Sequence, residues 1–183
     1  GYNVQSTVLS GTKKLLLERT NAFKKGREEA GEKGKLIKLS MQRVAYAAKD
    51  DQDAKEKNLL AYEYYKRFDN MFTGPGKVDK GLVEPLPRKQ TIEELTENLL
   101  ICTPEQMIDK LERYAEAGVD EIIISAGFGQ SQEDMIDSMY RISEKVIPHF
   151  KSDQSKVAWL IQFNDMSVPI ECEYSIEGNG PPI

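Results

Sequence analysis

The apolar and polar positions of the chain fall into alternating segments of period two and period near 3.6. Residues 2–9, YNVQSTVL, are strand-like, and Thr12 is placed to cap a helix that carries Leu15, Leu16, Ala22 and Phe23 inward and ends near Gly31. Residues 35–50, KLIKLSMQRVAYAAKD, form a second strand with Ile37, Leu39, Met41 and Arg43 on one face and Lys38, Ser40, Gln42 and Val44 on the other. Polar side chains on both faces suggest a strand that lines something. From about Asp53 the run AKEKNLLAYEYYKRFDNMF reads as a helix, with Leu59, Leu60, Tyr64 and Phe68 near helical spacing. Glycine and proline then break residues 73–90, TGPGKVDKGLVEPLPRKQ, into a long loop with no regular structure. Loops of this length are functional lids or disordered connectors, and composition does not separate the two.

The clearest local signal is TPEQMIDKLERYAEAG, with Thr103 as N-cap, Pro104 at the first helical position, Gln106 completing a capping box and Gly118 closing the helix. Met107, Ile108, Leu111, Tyr114 and Ala115 make its buried stripe. VDEIIIS, which follows, has the β-branched, nearly all-apolar character of a parallel strand buried on both faces. Ser131 caps a last helix that turns Met135, Ile136, Met139, Ile142 and Val146 inward and is expected to stop at Pro148. This βαβαβα order predicts an α/β fold of parallel strands joined by right-handed crossovers. An open doubly wound sheet and a segment of a (βα) barrel both fit. In either, ligands gather at the carboxyl ends of the strands, here residues 5–10, 46–50 and 125–130.

Composition narrows the partners. The 183 residues are 39% apolar and 30% charged, which suits one soluble domain, and the net charge of −5 argues against nucleic acid. Cys102 and Cys172 are far apart and the chain has a single histidine, so no disulfide framework, zinc site or other metal site is expected, and a reducing cytoplasm is the default. No apolar run approaches the roughly 20 residues that span a bilayer, so no membrane is expected, and the start GYNVQSTV reads as a cut end. GFGQ at residues 127–130 is either a phosphate loop or a plain strand-to-helix turn. It lacks the third glycine of a dinucleotide fingerprint and the Lys-Ser/Thr of a P-loop. His149 at a helix end reads as a surface residue, and Tyr62, Tyr64 and Tyr65 read as packing. No catalytic residue can be named, because no Ser-His-Asp set or clustered acid pair is present.

Over residues 1–151 the order of segments resembles the C-terminal part of the bacterial-luciferase-like flavin monooxygenases. The most specific parts are T-P-E at 103–105 with its helix and A-G-V-D, and S-M-x-x-x-x-x-x-V-x-P at 138–148. The resemblance implies a partial TIM (βα)8 barrel in which the three strands correspond to about strands six to eight. It implies reduced FMN supplied by a flavin reductase, with a deazaflavin as the alternative, and oxygen used to oxidise a small organic substrate. In this family the end of strand six lies beside the isoalloxazine, which falls on Gln5, Ser6 and Thr7 as cofactor-binding residues. A mobile lid falls on residues 77–90, with Arg88 as the side chain expected to reach toward the flavin. Cys102 replaces the glycine usual before T-P-E and reads as a small turn residue rather than a thiolate nucleophile.

Residues 152–167 read as a linker. In the segment 168–183, Ile170, Cys172, Tyr174 and Ile176 alternate with Glu171, Glu173, Ser175 and Glu177 before a G-N-G-P-P turn. This β extension resembles the opening strand of an α/β-hydrolase, the start of a fused domain, and is otherwise a stray strand or hairpin. The chain is thus expected to be a monooxygenase segment, inactive alone and self-associating through two unpaired strand edges. The alternative is a non-catalytic flavin-binding or subunit-interaction module, such as a dimer surface.

Overall fold

A computed structural model describes residues 2–7, 12–72 and 74–151. The expected linker and β extension, with their hydrolase resemblance, lie outside the described residues.

The sheet is organised around β2 (Leu39–Ala47), a nine-residue strand buried along nearly its whole length. β1 (Val4–Thr7) runs parallel to it with Val4 opposite Leu39 and Thr7 opposite Gln42, and β6 (Glu121–Ser125) runs parallel with Ser40 opposite Glu121 and Val44 opposite Ser125. A short strand, β5 (Leu100–Cys102), joins the far end of β2 from Ala45 to Ala47, again parallel. Successive backbone groups of a strand point to opposite edges. The Lys38 carbonyl accepts from Val4 and the Ala48 amide donates to Cys102, whereas the Leu39 carbonyl accepts from Asp120. β1 and β5 therefore follow one another along one edge of β2, and β6 holds the other.

Helices cover both faces of this sheet. Leu39, Met41, Ala45 and Ala47 pack with Ile122 and Ile124 of β6 against α1 (Lys13–Glu29), α4 (Pro104–Glu116) and the helical run that ends the described chain. On the other face Val44, Tyr46 and Ala48 pack against α2 (Asp51–Phe72), α3 (Ile92–Asn98) and Phe128. This second layer stops at Val44, which leaves the polar side chains of the first half of β2 outside it.

Arg43 faces the first layer and is only 3% exposed. It is accommodated because its Nε donates to the Tyr114 hydroxyl at 2.5 Å and its Nη2 to the Asn98 carbonyl at 2.5 Å, so the buried charge meets oxygen acceptors.

Four features depart from the sequence expectation. α3 and β5 were not anticipated, so the parallel sheet has four strands rather than three. Residues 35–38 and 48–50 lie outside β2, and a 3-10 turn (Gly31–Leu36) precedes the strand. The segment 73–90, expected to lack regular structure, contains a small antiparallel hairpin of β3 (Val78–Asp79) and β4 (Leu82–Val83). Its turn residues Lys80 and Gly81 have φ of 48° and 83°, the two successive positive values that a tight hairpin turn requires. Finally, the last helix does not stop at Pro148. α5 (Gln132–Arg141) widens into a π turn (Ile142–Val146) and continues as α6 (Ile147–Lys151). In the wide turn the Ile147 amide reaches back five residues to the Ile142 carbonyl, which relieves the clash that proline makes in an α-helical register.

The capping box of α4 forms as expected, with the Thr103 hydroxyl accepting from the Gln106 amide at 3.4 Å and the Gln106 side chain accepting from the Thr103 amide at 3.2 Å. Thr103→Ala should cost about 1 kcal/mol in urea unfolding. A change below about 0.3 kcal/mol would show that the long bond contributes little.

Candidate functional site

β1 and β6 end beside the middle of β2, on the face that α2 covers only in part. Strand pairing puts Gln5 beside Ser40, Thr7 beside Gln42, and Gln42 beside Ile123, so these positions share that face with Glu121 and Ser125. Thr7 Oγ1 donates to the Gln42 carbonyl at 3.3 Å and Gln42 Nε2 to Ser125 Oγ at 3.4 Å, both long bonds between half-buried groups. Glu121 accepts from Ser40 Oγ at 2.5 Å and pairs with Lys38 at 3.3 Å. Thr7, Gln42 and Ser125 thus form a polar row across three strands that ends at the mouth of the sheet.

The three residues expected beside the flavin do not share one face of the sheet. Ser6 is in register with Met41, and the period of two sends it to the helix-covered face. There its hydroxyl accepts from Arg19 Nη1 at 3.0 Å, and the same guanidinium donates to the Thr7 carbonyl. Gln5 and Thr7 remain on the open face.

Above the polar row a charged cluster braces the mouth. Asp50 caps the start of α2 by accepting from the Asp53 amide at 2.8 Å. Asp53, 5% exposed, accepts from the Lys49 amide at 3.0 Å and the Tyr46 hydroxyl at 3.3 Å, and lies 3.7 Å from Lys57 Nζ. Lys57 also bonds Asp134 of α5 at 2.8 Å. From the same helix Arg141 Nε donates to the Ala47 carbonyl at 2.7 Å and Ser138 Oγ accepts from the Ala47 amide at 2.8 Å. Burial and then the neighbouring Asp53 carboxylate push the Tyr46 phenol far above its ordinary value, so it stays a neutral donor. Burial acts to lower Lys57, but Asp134 and Asp53 outweigh it and hold the ammonium above its ordinary value. Tyr46 and Asp50 lie in the strand end 46–50 picked out in the sequence, whereas Asp53, Lys57, Asp134, Ser138 and Arg141 were missed. The spacing of Asp53 and Lys57 on one helix face was a faint signal, whereas Lys57 and Asp134 are 77 positions apart.

Residues 126–130 pack onto this cluster. Phe128 is 1% exposed and meets Tyr46 edge to face at 6.0 Å, and Gly129 makes the turn at φ 105°.

Arg88 is turned onto α2. Its Nη1 donates to Asp69 at 2.7 Å and to the Tyr65 carbonyl at 3.2 Å, its Nη2 donates to Gln90 at 2.7 Å, and the side chain is 6% exposed. In this arrangement the guanidinium fastens the segment 73–90 to the helix. Cys102 ends β5 in the core, and burial pushes its thiol up to about 11 against the opposing pull of Lys110. It is therefore a thiol at neutral pH, as a packing role requires. His149 is at the surface, 3.0 Å from Glu112.

A groove of about 700 Å³ runs along the outer edge of β5. That edge is closed by side chains: Asn58 Nδ2 donates to the Ile101 carbonyl at 2.9 Å, and Lys110 Nζ donates to the Thr96 and Leu99 carbonyls at 2.9 and 2.7 Å. Among the described residues no group of three or more His, Cys, Asp or Glu could hold a metal ion, and no helix is long and apolar enough to cross a membrane.

No family model matches the chain. It is 27% identical, over 126 residues, to the oxygenase component of the flavin-dependent trigonelline monooxygenase of Acinetobacter baylyi. The match covers 65% of this chain and 34% of that protein, so the chain spans about a third of the length of the relative it matches. A distant, partial homologue is therefore a flavin-dependent monooxygenase component.

Proposed function

We propose that this chain supplies the closing strands of a flavin-binding (βα) barrel in the oxygenase component of a monooxygenase, with β1, β2 and β6 as about strands six, seven and eight. The observation that carries the reading is the polar row formed by Thr7 and Ser125, the last residues of β1 and β6, with Gln42 of the middle of β2 between them, in a chain whose homologue is flavin-dependent. Hydroxyl and carboxamide groups suit the polar edge of an isoalloxazine, which offers both donors and acceptors. Reduced FMN, delivered by a reductase component, would supply the oxygen chemistry on a small organic substrate. Trigonelline, named for the relative, is the first compound to offer.

Each part of the site then has a task. Gln42 and Thr7 orient the ring edge. The cluster of Asp53, Lys57 and Asp134 keeps α2 and α5 together at the mouth, and the segment 77–90, as a lid, excludes water. Phosphate binding and the reacting groups would come from the part of the oxygenase outside this chain, so the 183 residues alone should bind flavin weakly and turn over nothing.

Amide chemical shifts during a titration with lumiflavin, which has no phosphate, test this. Changes are expected at Gln5, Thr7, Gln42 and Ser125, and Gln42→Leu should weaken binding about three- to tenfold, the worth of one neutral hydrogen bond. Shifts confined to the groove beside β5, or FMN binding far tighter than lumiflavin, would put the flavin elsewhere.

A further inference from the structure

The turn after β6 contains a backbone donor and acceptor that one of its own side chains fills. Oε1 of Gln130 accepts from the Phe128 amide at 2.9 Å, and Nε2 of the same carboxamide donates to the Ala126 carbonyl. The orientation of the carboxamide follows from its partners, since an N–H requires an acceptor and a carbonyl a donor. The Ala126 carbonyl and the Phe128 amide thus recognise one edge of a planar amide, a C=O beside an N–H. A cyclic imide presents that same edge. The pyrimidine ring of an isoalloxazine does so at N3–H and its flanking carbonyls.

The surroundings suit exchange of one amide for another. Phe128 is anchored in the core against Tyr46, so the backbone frame persists when Gln130 leaves. Gln130 itself is only half-buried, and Gly127 is exposed with open space where a side chain would stand, which leaves room for a flat ring. The turn also lies at the carboxyl end of β6, beside Ser125 of the polar row.

We propose that the Ala126 carbonyl and the Phe128 amide bind the N–H/C=O edge of a cyclic imide, the flavin pyrimidine ring, and that Gln130 is an internal stand-in displaced when the ring arrives. The assignment of the imide to a flavin rests on the reading above. The imide site itself rests on the turn.

The test uses the 183-residue chain, lumiflavin, 3-methyllumiflavin, which lacks the N3–H, and uracil, which carries the imide edge alone. Removing the competing side chain in Gln130→Ala should tighten lumiflavin about three- to tenfold and shift the Phe128 amide, because two intramolecular hydrogen bonds no longer oppose binding. Gln130→Ser, which lacks the carboxamide's paired donor and acceptor, should tighten it as well and serves if the alanine variant folds poorly. Both variants should discriminate against 3-methyllumiflavin. Equal binding of the two flavins, or no gain from either substitution with lumiflavin or uracil, overturns the proposal. If lumiflavin shifts Thr7 and Gln42 but ignores Gln130, the flavin reading stands and this site falls. If uracil tightens while lumiflavin never binds, the imide site stands and the flavin reading falls.

Discussion

Lys57→Met is expected to remove about 3 kcal/mol of folding stability at pH 7, because it strips the ammonium from a carboxylate that cannot reach water. Asp53 is 5% exposed and would keep only the Lys49 amide and the Tyr46 hydroxyl. Those two bonds place the cost at the low end of the range for an orphaned buried charge. Asp134→Asn should cost less, about 1 kcal/mol or below, since that side chain is 40% exposed and screened. The pH dependence has a definite sign. Lys57 is held above its unfolded value, so its contribution is complete below about pH 10 and is lost as pH rises through the folded value. Asp134 is held below its ordinary value, first by the Lys57 bond, so its share is present above about pH 4 and is lost as pH falls through the folded value. Urea melts of both variants from pH 3 to 11 check this. A Lys57→Met protein within 1 kcal/mol of the parent at pH 7, or with an undiminished alkaline loss, would mean that the cluster does not hold α2 to α5.

The elements legible in the sequence were those whose signal is local. Thr103, Pro104 and Gln106 announce α4 within four residues, and the β-branched run from Ile122 to Ile124 announces β6. β5 was invisible because three residues have too little periodicity, and Leu100–Cys102 becomes a strand only by lying beside Ala45 to Ala47. The hairpin turn was disguised by lysine where asparagine or aspartate is the usual signal. Site residues divided in the same way. Strand alternation, applied to the trio at residues 5–7, separates Ser6 from Gln5 and Thr7 on pattern alone. The partnership of Lys57 with Asp134, and of Arg141 with the Ala47 carbonyl, depends on bringing α2 and α5 to one strand end, which no local pattern encodes.

Asn70→Ala should release the segment 74–90 and accelerate its proteolysis by tenfold or more, while leaving the sheet folded. Asn70 is fully buried at the end of α2 and ties the hairpin with both ends of its carboxamide. Nδ2 donates to the Glu84 carbonyl at 2.7 Å and to the Lys77 carbonyl at 3.2 Å, and Oδ1 accepts from the amides of Gly76 at 2.9 Å and Lys77 at 3.3 Å. Alanine removes these four bonds and leaves the backbone bonds of Gly76 to the Asn70 carbonyl and of Glu84 to the Lys77 carbonyl, so the segment loses most of its hold on the end of α2. The loss is about 2 to 3 kcal/mol, a few net hydrogen bonds discounted for resolvation. Further ties, Arg67 Nη1 to the Val83 carbonyl at 2.8 Å, the Leu86 amide to the Lys66 carbonyl at 3.0 Å and Arg88 to Asp69, hold the same segment to the same helix. Arg88→Ala combined with Asn70→Ala should therefore open it further than either alone. The segment expected as a mobile lid is docked here through side chains of α2, and its opening is an equilibrium set by those bonds. Timed trypsin digestion with mass mapping of the first cuts measures it. Sites at Lys77, Lys80 and Lys89 should be slow in the parent and fast in the variants. Equal rates in all of them would show that Asn70 does not govern the segment, and early cuts within α2 or α4 would show that its release unfolds the domain rather than the lid.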